Sequence, residues 1–596
     1  MQLIATPPRC SSLYRKILNF LSRTTRLVVN ELPLFVMLMI YSTIPTYFDG
    51  PYIYKTYLML VVPQCILPTL ILCLLASWKR LMWWLVFITA NMMFTLELGC
   101  YFSQHCRLNS CIAILIMQSN LSESVEFLES TLPQVLKAVA TGLAIAVAIL
   151  VWNYIWKRKF LYTCNLRSMV NGMIGRSIGV MLIAISVYGG LVGFKVARYH
   201  ADYWTRMWDM SDASTYITYY YDFKDSFFNP EMQNLDILKR SIAEADVKCI
   251  EVPERLTIVY VVGESFSRAR SSLFGYPMCV NPNLAREFEA GRLIVFDNVI
   301  THSPRTLDVY RAMLSTWDIL GKEKFTDFAL LPALMKKGGY HVSYFDNQSL
   351  INSGKGFDFG CTYFFSDKEI RDLSVDSYND EIKRYDGELV ECFPPCSHSA
   401  LQFTIYHLMG QHVMFKSRYP EDFSYFKPEM YPPGMYTRKQ AEIVAQYDNA
   451  TLYNDYVLGQ IINQLRDKPS VLIYAPDHGE QVYDYRDEMG RNIKASLDNV
   501  RIFYEVPAFV WVSDKYKLLF PEKIEAMNRN IHKAIYNSDL PHTVLDIAGI
   551  KTRRLSGGFS LVEDGPGRPI RMIGDINYDA MRDTIATFRM RYELPK

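Results

Sequence analysis

The chain has 596 residues, half of them hydrophobic and 14% aromatic, with a formal net charge of only +2. That near-neutral balance gives no reason to suspect nucleic acid as a partner. The average conceals a division: long apolar runs are confined to about the first 200 residues, and the remainder mixes polar and apolar residues as a globular domain with a large core does.

Five apolar segments, 28–48, 57–77, 81–101, 138–156 and 177–197, approach the roughly 20 residues needed to cross a bilayer. Pro63 and Pro68 in the second and Gly189-Gly190 in the fifth predict kinks, tolerable where neighbouring helices satisfy the freed backbone groups. Basic residues fall before the first segment (Arg9, Arg15, Lys16, Arg23, Arg26), between the second and third (Lys79, Arg80) and between the fourth and fifth (Lys157, Arg158, Lys159, Arg167, Arg176). The opposite loops offer little beyond Lys55 and Arg107, so the lysine and arginine bias predicts a cytoplasmic start and an extracytoplasmic chain after Ala197. No small-residue cleavage site follows the first apolar run, which is expected to stay as an anchor.

The predicted organisation is therefore a five-helix transmembrane domain over 1–197, a connector over 198–254 and an extracytoplasmic domain over 255–596. The connector carries Tyr203, Trp204, Trp208, Tyr216, Tyr219, Tyr220 and Tyr221, rings that favour a membrane interface and equally suit a packed helix pair. Beyond it, LTIVYVVGES, RLIVFDNVI, YHVSYFDN, LQFTIYHLMG, SVLIYAPDHGE and VPAFVWVSD read as strands rich in Val, Ile, Phe and Tyr, with helical stretches such as DNATLYNDYVLGQIINQLRD between some of them. This alternation predicts an α/β domain with a largely parallel sheet, a fold that binds ligands beyond the carboxyl ends of its strands.

Polar residues recur at those ends. Glu264 follows the first strand, His407 and His412 the fourth, and Asp477, His478 and Glu480 the fifth. Together they form a mixed oxygen and nitrogen donor set suited to zinc or a similar ion. Singly, Glu264 could pair with Arg268, Asp477-His478 could cap a helix, and either histidine could be structural. Among the 12 cysteines, Cys392 and Cys396 in ECFPPCSH could form a short disulfide, or with His398 part of a zinc knuckle that lacks its second ligand pair.

GESFSRARSSLFGYP, THSPRTLDVYRAML, FDNQ, HLMGQH, YDNATLYNDYVLGQII and PDHGE, in this order and spacing, resemble the membrane-bound phosphoethanolamine transferases of the alkaline phosphatase/sulfatase superfamily, most of all the branch that modifies the lipopolysaccharide core. The resemblance extends over nearly the whole chain. It implies an alkaline phosphatase/sulfatase-type catalytic domain in the periplasm, anchored in a bacterial inner membrane. It also implies zinc held by Glu264, Thr306, Asp477 and His478, with Thr306 as the nucleophile. The donor implied is phosphatidylethanolamine and the acceptor lipopolysaccharide, core or lipid A, or another envelope glycan. Ser265 is the competing nucleophile. The helix expected after Thr306 would put its hydroxyl where backbone amides favour phosphate, or make it an ordinary N-cap.

His412 matches a substrate or second-metal histidine of that family, with His407, Lys355, Asn347 and Gln348 as further substrate-binding candidates. The stretch 479–506 has no histidine, which argues against a tightly held second zinc. A phosphoglycerol transferase, a phosphodiesterase or a non-catalytic membrane receptor on the same fold are the competing readings.

Overall fold

The structure, a computed structural model, describes residues 8–49, 54–104, 107–108, 121–160, 172–199, 213–220, 235–250, 254–350, 363–395, 399–487, 489–490, 495–555 and 557–593. The chain forms two compact units, Met1–Asn229 and Pro230–Lys596.

The first unit contains helices α1 (Pro8–Asn30), α2 (Leu32–Thr43), α3 (Val62–Trp78), α4 (Arg80–Gln104), α5 (Leu121–Ile155) and α6 (Met173–Tyr199). Among the described residues, four helices are long and apolar enough to cross a membrane, and the number reaches five when a bent pair counts as one span. That pair corrects the first predicted segment: 28–48 is not one rod, because the chain bends by 82° between Tyr14–Asn30 and Leu32–Phe48. The cause is local. Glu31 leaves helical geometry at φ −110°, and Pro33 sits in the first turn of α2, where its missing N–H costs nothing. The buried Glu31 carboxylate accepts from Lys157 Nζ at 2.9 Å on both oxygens and from Trp83 Nε1 at 3.1 Å. A charge within an apolar stretch is thus paired at the bend, and segments beside all three predicted cytoplasmic basic clusters meet there.

Gly189 behaves otherwise than predicted. Helix α6 runs through it, and a Cβ there would lie 2.0 Å from the carbonyl oxygen of Pro63 on α3. Its use is close helix approach rather than a kink. Of the aromatic connector, Tyr216 hydroxyl lies 3.3 Å from Thr69 Oγ1, and Tyr219 donates to Glu97 at 3.0 Å. These contacts tie residues 213–220 to the helices of the first unit, whereas Tyr203, Trp204, Trp208 and Tyr221 lie outside the described residues.

The second unit begins ahead of residue 255: helix Leu235–Ala243 buries Leu238 and Ile242 in its main core. The sheet strands are β1 (Leu256–Gly263), β2 (Leu293–Phe296), β3 (His341–Asp346), β4 (Ser377–Tyr378), β5 (Leu401–His407), β6 (Ser470–Pro476) and β7 (Ala508–Val512). They lie in the order β2-β7-β6-β1-β5-β3-β4. Only β7 opposes the others, pairing antiparallel with β2 and β6. All eight residues of β1 are buried, with Ile258, Tyr260 and Val262 in one core cluster and Val259 and Val261 in another. Covered on both faces, such a strand reads as a continuous apolar run without alternation.

Helix α7 (Thr306–Met313) precedes β3, and α8 (Arg438–Leu465) crosses back to β6. The latter starts with a capping box, in which Thr437 Oγ1 accepts from Gln440 N while the Gln440 side chain accepts from Thr437 N. Its face of Ala450, Tyr453, Val457, Leu458, Ile461 and Ile462 fills the second cluster. Cys392 is exposed, whereas Cys396 and His398 lie outside the described residues, as does Lys355.

Candidate active site

Strand register assembles the site. In the parallel pair β1–β6, Val262 stands beside Ala475 and Gly263 beside Pro476, so Glu264 and Asp477 emerge together at the carboxyl edge. Asp477 N donates to Gly263 O at 3.1 Å and continues the ladder one residue further. On the other side of β1, Val262 is level with His407 of β5, and His407 with Asp346 of β3. Four neighbouring strands therefore end on Asp477, Glu264, His407 and Asp346.

Glu264, Asp477 and His478 are each 0% exposed, and one donor atom from each lies within 4.8 Å of the others. Thr306 completes the group: its Oγ1 is 3.3 Å from Glu264 Oε2 and 3.2 Å from His478 Nε2. It is half-buried, the only one of the four with any solvent exposure. Thr306 is the first residue of α7, and the N-cap position belongs to Arg305. The threonine hydroxyl is thus not spent on capping. Ser303 instead holds the entry to the helix, accepting from Arg305 N at 3.3 Å and donating to Asp308 at 2.9 Å. Burial would raise the Asp308 carboxyl, but the Arg305 and Arg311 guanidinium groups hold it below its ordinary range.

The imidazole tautomer follows from its partner. His478 Nδ1 is 3.1 Å from the Gly479 carbonyl oxygen, which can only accept, so Nδ1 carries the proton. Nε2 then turns a lone pair toward Asp477 Oδ2 at 2.9 Å, Glu264 Oε1 at 3.6 Å and the Thr306 hydroxyl. A lone pair and two buried carboxylates converging on one point suit a bound cation. The donors, one nitrogen and carboxylate and hydroxyl oxygens, fit zinc or a similar ion.

The surroundings orient these donors. Ser265 occupies φ +58°, and this turn lets its hydroxyl donate to Glu264 Oε1 at 2.6 Å and its N–H to Asp477 Oδ1 at 3.1 Å. The Ser265 hydroxyl, the competing nucleophile, is thereby committed to holding a carboxylate. Gln348 donates to Glu264 Oε2 at 3.2 Å and to Leu408 O at 2.8 Å. The Asn537 side chain donates to Pro476 O and Asp477 O, both at 2.8 Å. The Tyr447 hydroxyl donates to Ser265 O at 2.7 Å and accepts from Ser267 N at 3.3 Å.

Several sequence expectations change place. Arg268 pairs with Glu505 rather than Glu264, and Arg270, fully buried, bonds Asp484, Tyr276 and Val482 O. No helix follows Asp477-His478; the chain continues through Gly479 into the short strand Gln481–Val482. Asn347, expected to meet substrate, is buried and spent on the scaffold. Its amide donates to Asp386 at 2.8 Å and its oxygen accepts from Lys383 N at 2.8 Å. Asp386 in turn accepts from Met409 N and Gly410 N, which fixes the loop leading to half-buried His412.

His407, also expected at substrate, is 1% exposed, bonded through Nδ1 to Asp346 at 3.0 Å and stacked on Tyr310 with ring centroids 4.0 Å apart. Burial opposes its protonation, yet Asp346, and then Glu264 and Asp477, raise its pKa above the ordinary value. Asp346 was missed in the sequence. Its signal was the carboxylate of FDNQ at a strand end, the same signal that identified Glu264.

A mostly parallel sheet ending in a buried carboxylate, Asp-His and hydroxyl cluster is the alkaline phosphatase/sulfatase architecture. Residues 257–550, all within the second unit, match the Sulfatase family. The chain is also homologous to proteins named phosphoethanolamine transferases. It is 29% identical over 345 residues to phosphoethanolamine transferase EptC of Escherichia coli O18:K1:H7, covering 55% of this chain and 58% of that protein. The chain thus spans a little over half the length of that relative. The crystal structure of the C-terminal periplasmic domain of EptC from Escherichia coli covers 56% of this chain and 96% of its own, at 28% identity and TM-score 0.50. The integral membrane lipooligosaccharide phosphoethanolamine transferase A of Neisseria meningitidis covers 89% of this chain and 97% of its own at TM-score 0.56. At 17% identity that likeness establishes a common fold.

Ser265 makes the local strain testable. A left-handed conformation costs a non-glycine residue about 1–2 kcal/mol, and both Ser265→Ala and Ser265→Gly lose the bond to Glu264. The glycine variant should therefore be about 1 kcal/mol more stable than the alanine variant. Thermal unfolding of the purified variants measures the difference, and equal midpoints would contradict it.

Proposed function

We propose that the chain transfers phosphoethanolamine from phosphatidylethanolamine to lipopolysaccharide, core or lipid A, or another envelope glycan, by two displacements through Thr306. The observation that carries this reading is the Thr306 hydroxyl placed between Glu264 and His478 on a half-buried residue. The names of the homologues support the group transferred, and the apolar helices suit a lipid donor. The lysine and arginine distribution supports an inner-membrane protein with its catalytic domain in the periplasm.

In the first displacement Thr306 Oγ1 forms a bond to phosphorus while the bond to the diacylglycerol oxygen breaks, and the hydroxyl proton ends on diacylglycerol. In the second, an acceptor oxygen, of a sugar hydroxyl or of a phosphate, bonds to phosphorus, the bond to Thr306 breaks, and Thr306 regains a proton. Zinc held by Glu264, Asp477, His478 and Thr306 would supply Lewis acidity that lowers the pKa of the threonine hydroxyl. The chain itself aims the hydroxyl from the first turn of α7, whose free amides favour the phosphate oxygens. Ser265 and Gln348 hold Glu264, and Asn537 holds the Asp477 backbone, so the donors need no rearrangement. Lys355 and His412 are assigned to the substrate phosphate or headgroup.

Three outcomes follow. Protein incubated with phosphatidylethanolamine and no acceptor should carry one phosphoethanolamine on Thr306 by peptide mass mapping. Thr306→Ala should abolish the adduct and transfer, and Ser265→Ala should keep the adduct; an adduct on Ser265 that survives Thr306→Ala overturns the assignment. The purified protein should hold about one zinc per chain in its closed protein site, lost in the variant Asp477→Ala with His478→Ala; unchanged elemental content would refute these ligands. A periplasm-dependent reporter fused after Ala197 should be active, and activity of a cytoplasm-dependent reporter at that point would reverse the topology.

A further inference from the structure

The second unit contains a further cavity that the reaction above does not use. It measures about 400 Å³ and is lined by Arg268, Arg501, Arg582 and Arg589, with Glu505, Glu593 and Tyr578 among them. Its walls are α9 (Val500–Phe503) with the turn after it, and the C-terminal helix α10 (Tyr578–Ala586) with its following turn. Four guanidinium groups against two carboxylates leave an excess of positive charge in one concave site.

The four arginines fall into two kinds. Arg268 is held by Glu505 and the Asp297 carbonyl, and Arg501 by Glu593 at 2.7 and 2.9 Å and by Phe588 O at 2.8 Å. Glu505 is also fixed by Tyr578, whose hydroxyl donates to it at 2.8 Å. Arg582 and Arg589, by contrast, are exposed and make no hydrogen bond or ion pair among the described residues. The cavity thus combines paired, oriented guanidinium groups with two exposed ones, of which Arg589 acts on Glu593 through its charge alone.

The backbone behind the inner wall also supports the segments that carry the reaction centre. Gly479, next to His478, donates to Phe503 O at 2.8 Å, and a Cβ on it would lie 2.0 Å from Ile502 O. Thr301, on the segment leading to Thr306, donates to Tyr504 O at 2.8 Å, and Arg268, four residues beyond Glu264, donates to Glu505 O at 3.0 Å. The three segments that deliver His478, Thr306 and Glu264 all rest on residues 502–505, which back the cavity.

We propose that this cavity binds the acidic groups, phosphate or carboxylate, of the acceptor glycan and so directs its hydroxyl to the loaded nucleophile. Guanidinium forks match planar or tetrahedral oxyanions bidentately. A polar, cationic lining suits a charged sugar, whereas an acyl chain would need apolar walls. The assignment rests on the transferase reading and adds the class of acceptor to it.

The test uses the purified full-length protein and the double variant Arg582→Ala, Arg589→Ala. With phosphatidylethanolamine alone, the variant should form the Thr306 adduct within twofold of the wild-type rate. Discharge of that adduct by lipopolysaccharide should show KM raised at least tenfold with kcat within threefold, and Arg582→Lys with Arg589→Lys should recover part of the loss. Independently, calorimetric titration with glucose 6-phosphate and with glucuronate, glucose being the neutral control, should show at least tenfold weaker binding of one or both acidic probes by the alanine variant. The stronger of the two probes identifies the acidic group. Unchanged KM with unchanged probe affinity overturns the proposal, as does an equal loss in both half-reactions. If the wild type forms no adduct, the transferase reading fails by itself, and the probe titrations alone decide the cavity, equal affinities in both proteins counting against it.

Discussion

The parallel pairing of β1 with β6 is the constraint from which the site follows. Glu264 and Asp477 are 213 positions apart in the chain, and only the register that sets Gly263 beside Pro476 brings them out side by side. A slip by one residue would turn the buried side chains of a strand to its other face and separate the carboxylates. That register is secured by burial on both faces: Ile258, Tyr260 and Val262 are packed in one cluster and Val259 and Val261 in the other. Hydrophobic packing of the strand body therefore sets the positions of charged groups at its tip.

Bringing two carboxylates and an imidazole lone pair together in a fully buried site is costly, and the protein meets that cost with orientation. Ser265 accepts an unfavourable backbone conformation so that its hydroxyl reaches Glu264 and its N–H reaches Asp477. Tyr447, from the middle of α8, fixes the same turn from the other side. Behind it, Arg270 is buried among Asp484, Asp448 and Tyr276, and burial raises the Asp448 carboxyl to about 6 even beside that guanidinium. The basic cluster after β1 is thus divided: Arg270 braces the turn, while Arg268 lines the cationic cavity with Glu505.

The first unit uses the same economy of charge. Its bend at Glu31 is held by a lysine and an indole from distant helices, and its buried Glu97 accepts from Leu108 N at 2.7 Å and from Tyr219. In both cases a carboxylate in apolar surroundings is stable because donors converge on it. The chain turns or is tied at those points.

Much of this was legible in the sequence by itself. Length and apolarity located the membrane helices, because hydrocarbon thickness dictates span length. Continuous apolar runs located the parallel strands, because those strands are covered on both faces. Residues directly after a strand were legible for the same reason: Glu264, Asp477 and His478 must appear at the sheet edge if the strands form. The tertiary structure decided what depends on pairing between distant segments. It separated Gln348, which reaches Glu264, from neighbouring Asn347, which is spent on Asp386, a difference that adjacent amides in one loop cannot display. It bent the first apolar run at Glu31, whose partners lie 52 and 126 residues away. It also gathered Arg268, Arg501, Arg582 and Arg589 around one cavity. No local pattern marks such residues, because their common surroundings exist only once the chain has folded.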